Sequence, residues 1–133
     1  ESFDVDKLYN AIQDLREKDI LWPFYDRRLH DVVENVIEVN RKIVLIEGNW
    51  LLLNEGKWAD LRGFCDCSIM IRAGENILKD RLIERKIRGG LSAQDAVQFY
   101  EFSERHNILR CLNNSNPADI MLQLDEEGRL AAR

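Results

Sequence analysis

Ile43-Val44-Leu45-Ile46-Glu47-Gly48 is the stretch that decides the fold. Four consecutive apolar residues, three of them β-branched, are too few for a helix and predict a parallel strand buried on both faces. The acid Glu47 then sits at the strand's carboxyl edge, where open α/β sheets bind ligands. Cys67-Ser68-Ile69-Met70-Ile71 predicts a second strand of the same kind, and Trp58–Arg62 between them a short helix. Strand, crossover, strand implies a βαβ unit, and Ile120–Leu124 adds a final strand.

Around this sheet the helices announce themselves by caps and periodicity. Asp4 is a good N-cap, and Val5, Leu8, Ile12 and Leu15 recur at helical spacing, predicting a helix over Val5–Lys18. Pro23 removes a donor and forces Trp22 extended, so Leu21–Asp26 is a connector or edge strand. Val32–Val39, β-branched but interrupted by polar residues, suits an exposed strand. Glu75–Arg88 carries an apolar face and stops at Gly89-Gly90, which reads as a C-cap and flexible joint. Ser92 caps a further helix running to Leu112, broken by Asn113–Pro117, and the charged tail after Leu124 is expected to fray. The class is α/β with a parallel sheet.

The length of 133 residues fits one domain, and 45% hydrophobic with 32% charged residues excludes disordered, collagen-like and disulfide-dense classes. Nineteen Lys+Arg against 24 Asp+Glu give a net charge of -5, which supplies no overall field for nucleic acid. Three cysteines, no secretory start and no apolar run near the ~20 residues of a membrane span make a reducing cytoplasm the simplest expectation. Cys65 and Cys67 lack the two further ligands of a zinc site. Glu1 has no initiator Met before it and a helix precedes any strand, so a piece of a longer protein is expected.

Three groups of residues carry candidate chemistry. Glu47 can hold Mg²⁺ directly or through water, or merely cap a loop. Arg81, Arg85, Lys86 and Arg88 suit a mobile cationic flap that neutralises a transferred phosphoryl group; they equally suit a solvated helix end that complements the macrodipole. Tyr25, Asp26 and His30 offer donors and acceptors for a hydroxylated substrate, although a surface His and a packed Tyr would look the same. No G-x-x-x-x-G-K-[ST] occurs in these residues.

Trp22-Pro23-x-Tyr25-Asp26 with His30, the strand Ile43–Ile46 followed by Glu47-Gly48-Asn49-Trp50-Leu51-Leu52, and Arg81–Lys86 with Gly89-Gly90-Leu91 resemble the uridine kinase, phosphoribulokinase and bacterial pantothenate kinase group of P-loop kinases. So does the opening Glu1-Ser2-Phe3-Asp4, and the likeness is greatest to a bacterial branch described as nucleoside/nucleotide kinase-like or "putative fructose kinase". The resemblance implies a partial P-loop NTPase three-layer α/β fold whose first strand, phosphate loop and catalytic Asp lie upstream of Glu1. Residues 1–133 would then be the C-terminal part of one kinase domain, with an acceptor region at about 20–40, a Walker B-type strand at 43–47 and a lid at about 75–91.

The same resemblance implies ATP-dependent transfer of a γ-phosphoryl group to a hydroxyl of a small metabolite: a sugar, nucleoside or pantothenate-like acceptor. Glu47 would stand near Mg²⁺, Arg81 and Arg85 would act on the transferred group, Arg88 would lie over the nucleotide phosphates, and Tyr25 and His30 would face the acceptor. The loop Asn113–Pro117 corresponds to the region near adenine. The alternative class is a non-catalytic binding or assembly module derived from a kinase fold, and a homodimer is compatible with either.

Overall fold

The computed structural model describes residues 4–132. Helix α1 (Val5–Leu15) leads into an antiparallel hairpin of β1 (Ile20–Asp26) and β2 (Asp31–Val39). A 3₁₀ segment (Gly56–Phe64) precedes β3 (Ile69–Ala73). Helices α2 (Glu75–Arg88), α3 (Ala93–Phe99) and α4 (Arg105–Asn114) follow, α3 and α4 joined by a π-helical turn at Tyr100–Glu104. Strands β4 (Ile120–Leu124) and β5 (Leu130–Ala132) close the chain. β4 pairs with β3 in parallel, Ile69 beside Ile120, and with β5 antiparallel.

Both caps expected from sequence form. The Asp4 carboxylate accepts from the Lys7 amide at 2.9 Å and the Ser92 hydroxyl from the Asp95 amide at 3.1 Å. Burial concentrates on Ile12, Leu53, Leu61, Ala73, Ala96 and Tyr100, so the core lies between the sheet, the 3₁₀ segment and the α3–π junction. α1 is tied to its neighbours by an edge-to-face contact of Tyr9 on Phe64 at 5.0 Å and by the Arg16–Asp66 pair at 2.7 Å.

Four expectations are corrected. Ile43–Glu47 forms no strand and belongs to no ladder, with Ile43 and Leu45 83% and 91% exposed; apolarity predicts which faces a strand buries, yet a strand also needs partners at its edges, and residues 4–132 supply none. The parallel partner of β3 is therefore β4, reached through α2, α3 and α4, in place of Ile43–Ile46. β3 begins two residues later than expected because Ser68 is taken up by a latch: its amide and hydroxyl donate to Asp119 Oδ2 at 2.7 and 2.8 Å, and its Oγ accepts from the Asp119 amide at 3.0 Å. The charged tail does not fray, since a turn at Asp125–Arg129, with Gly128 at φ 81°, returns it as β5.

The remaining differences are of detail. The helix expected from Ser92 to Leu112 is continuous but carries the π turn within it. Among the described residues no helix is long and apolar enough to cross a membrane. A folded monomer of 15.6 kDa exposes about 7,200 Å² by the usual mass scaling, whereas this chain exposes 10073 Å². Exposed large apolar side chains stand on the β1–β2 hairpin, on Ile43–Ile46, on β3 at Ile69 and Ile71, and singly elsewhere, as at Phe102.

Candidate functional site

The loop after Ile43–Ile46 is stitched to the end of α4. The Asn54 amide donates to the Asn114 carbonyl and the Asn116 amide to the Leu52 carbonyl, both at 2.7 Å, around the fully buried Leu53. Glu55 accepts from Arg110 Nε and Asn114 Nδ2, each at 2.8 Å, and these bonds, Arg110 first, hold its carboxyl below the ordinary range. The Arg110 guanidinium lies 5.1 Å over the Trp50 ring, which meets Trp58 edge to face. The Cys111 thiol donates to the Asn49 carbonyl at 3.3 Å and burial pushes its pKa up. The structure thus brings the loop that follows Glu47 beside Asn114–Asn116, two segments that the sequence does not link.

Glu47 itself is exposed, and no described cation or donor engages it. A Cβ at Gly48 beside it would lie 3.2 Å from Leu51 Cγ, a tight contact that Leu51 would have to yield to. Among the described residues no three His, Cys, Asp or Glu side chains converge on a metal position. A free single carboxylate at a strand end nonetheless fits Mg²⁺, which keeps most of its waters and is commonly held by one or two carboxylates plus substrate phosphates.

On α2 the five cations differ in their engagements, Lys79 pairing with Glu101 at 3.2 Å. Arg85 Nη2 and Lys86 Nζ approach Glu104 Oε1 at 3.8 and 3.5 Å, and Arg88 pairs with Glu84 at 3.2 Å. No described carboxylate lies within ion-pair distance of Arg81, which leaves it the uncommitted cation of the helix. The Gly89-Gly90 joint is closed by a Schellman cap: the Leu91 amide donates to the Lys86 carbonyl at 3.2 Å and the Gly90 amide to the Ile87 carbonyl at 2.9 Å. Gly90 adopts φ 101°, a conformation that only glycine takes without strain.

Tyr25 and His30 occupy the tip of the β1–β2 hairpin. The Asp26 carboxylate accepts from the Arg28 and Leu29 amides at 2.8 and 3.4 Å and so shapes the turn, while His30 sits at φ 52°. An open concavity of about 500 Å³ there is lined by Phe24, Tyr25, Asp26, Arg27 and Arg28. His30 is not among its lining residues. Sequence reasoning missed the pinning role of Glu104, Arg110 and Asp119; Glu104 lies 18 residues beyond Lys86 and carried no local signal.

No family model matches the chain. It is 47% identical over 129 residues to the uncharacterized protein YggC of Escherichia coli K12, covering 97% of this chain and 54% of that protein. It is 26% identical to "Putative uridine kinase C227.14" of Schizosaccharomyces pombe, covering 92% of this chain and 55% of the other. The chain thus spans about half the length of these curated relatives. Among solved structures it superposes on a "putative fructose transport system kinase" from Silicibacter sp. TM1040 with a TM-score of 0.84 and 26% identity, over 90% of this chain and 60% of that one. YFH7 of Saccharomyces cerevisiae, described as "a putative P-loop containing kinase with a circular permutation", superposes at a TM-score of 0.65 and 19% identity over 81% of this chain and 36% of that one, and bears on the fold alone. Together with the parallel β3–β4 pair, these likenesses in sequence and fold support a P-loop kinase-like family.

Proposed function

We propose that the protein carrying this chain is an ATP-dependent kinase that phosphorylates a hydroxyl of a small metabolite, and that residues 1–133 supply its acid, lid and acceptor elements. The observation that carries the reading is Ile43–Glu47: an exposed apolar segment, unpaired among the described residues, that ends on an unengaged carboxylate and a glycine. The free edge of β3 and the excess exposed surface support completion by a further part of the protein bearing the phosphate loop.

On this reading Glu47 is the residue that would hold Mg²⁺, which when bound withdraws charge from the nucleotide phosphates. Arg81 meets the charge that develops on the transferred group, and Arg85 and Arg88 extend the cationic surface of α2 along the same helix. Tyr25 and His30 orient the acceptor through their hydroxyl and imidazole, and catalysis is positioning more than covalent chemistry. The cytoplasm is the compartment in which ATP and such metabolites meet.

A second reading has one observation in its favour. Leu21, Phe24, Tyr25, Val32, Val36 and Ile37 of the hairpin are all exposed, which suits a non-catalytic assembly module or a homodimer. A phosphorylation screen of the intact protein with Mg·ATP over sugars, nucleosides and pantothenate-like alcohols separates the two. Stoichiometric phosphoryl transfer to one acceptor supports the kinase; hydrolysis and transfer both absent across the screen support the module.

A further inference from the structure

The C-terminal turn of α2 meets a small cage. Lys86 Nζ lies 3.7 Å above the Phe99 ring and 3.5 Å from Glu104 Oε1, and its side chain is only 28% exposed. Glu104 is 20% exposed, and the same oxygen faces Arg85 Nη2 at 3.8 Å. Phe99 and Glu104 are five residues apart, which in a continuous α-helix turns them about 140° from one another. The intervening π turn, Tyr100–Glu104, has more residues per turn and brings ring and carboxylate onto one side. The Schellman cap at Gly89-Gly90 closes the same corner through backbone, so α2's last turn, Phe99 and Glu104 form one block.

Within the block the two cations are held differently. Lys86 is enclosed by ring and carboxylate, while Arg85, 67% exposed, touches Glu104 only at its far nitrogen. We propose that Glu104 is a positioning residue of the lid: it fixes Lys86 permanently against Phe99 and holds Arg85 in place, ready to transfer to an arriving phosphate oxygen. This rests on the kinase reading of α2. Glu104 touches no substrate; it sets where the Arg85 guanidinium starts and what it exchanges for the phosphate.

The test is Glu104→Gln in the intact protein. We expect kcat to fall at least tenfold with KM for Mg·ATP not raised, because ground-state attraction to the cations persists while their placement is lost. Phe99→Leu should give a smaller fall in the same parameter. If Glu104→Gln does not fold, Glu104→Asp, too short to reach both cations, is expected to show the same split. A readout independent of turnover is the proton shift of the Lys86 ε-methylene, which the Phe99 ring should move upfield in the wild type and release in Glu104→Gln. A kcat within twofold of wild type, a matched loss in all parameters that tracks the fall in Tm, or an unshifted Lys86 signal in the wild type overturns the proposal. Wild-type protein that transfers no phosphoryl group to any acceptor removes the kinase reading instead, and the lid role with it.

Discussion

Single residues divide here by whether the chain has already engaged them. Glu47 has no described partner, so Glu47→Gln should change the unfolding free energy by no more than about 0.5 kcal/mol, the range of surface substitutions, while lowering turnover on the order of a hundredfold or more; activity assay beside chemical denaturation checks both. Arg81→Ala should cost more rate than Arg85→Ala, because Arg81 is uncommitted and Arg85 already shares Glu104 with Lys86. Equal losses in paired kcat measurements would contradict that ordering. Asp119 is the opposite case. The Ser68 amide and hydroxyl, with Arg62 beyond them, hold its carboxyl below the ordinary range. A depressed folded pKa contributes stability above the unfolded value, and that contribution is lost as pH falls through the folded one. Asp119→Asn should therefore lower Tm at neutral pH, with the difference from wild type shrinking below about pH 4; a constant difference down to pH 2 would contradict this.

At the scale of elements, the legible parts were those with local signals at both ends. Glu75–Arg88 and Ile120–Leu124 have the bounds the sequence implies, because each is framed by glycine, proline or polar residues and carries its own period. The hairpin strands were legible from Pro23 and from the β-branched run, although not their bulged pairing between Trp22 and Phe24. What was not legible depends on residues far away in sequence. The π turn leaves no mark in the apolar period, the Glu104 cage and the Ser68–Asp119 latch join residues 18 and 51 apart, and Ile43–Glu47 lacks a ladder because strand pairing is non-local. Of the candidate site, sequence showed the residue types at Glu47, Arg81 and Arg85 but not that Arg85 shares a carboxylate and Arg81 does not. The joint is also stiffer than a glycine pair suggests. Gly90→Ala, at φ 101°, should destabilise by about 1 kcal/mol or more in chemical denaturation. Tyr100→Phe within the π turn should be neutral or stabilising, since the Tyr100 hydroxyl is buried with no hydrogen-bond partner.

For the whole molecule, the chain folds around a small core and leaves far more surface open than its mass requires. On the proposed reading, the apolar segment Ile43–Ile46 and the free edge of β3 are where a further part of the protein would add strands; the chain spans 54% of its relative from Escherichia coli. Residues 1–133 alone should show no phosphoryl transfer, because no phosphate-cradling glycine loop occurs in them. The most direct test is Mg·ATP-dependent phosphoryl transfer to an acceptor by the intact protein, measured side by side for wild type and Glu47→Gln at matched folded fraction. The account predicts transfer by the wild type and its near-complete loss in Glu47→Gln across a magnesium titration; equal transfer by both proteins, or transfer by neither half nor whole, would contradict it.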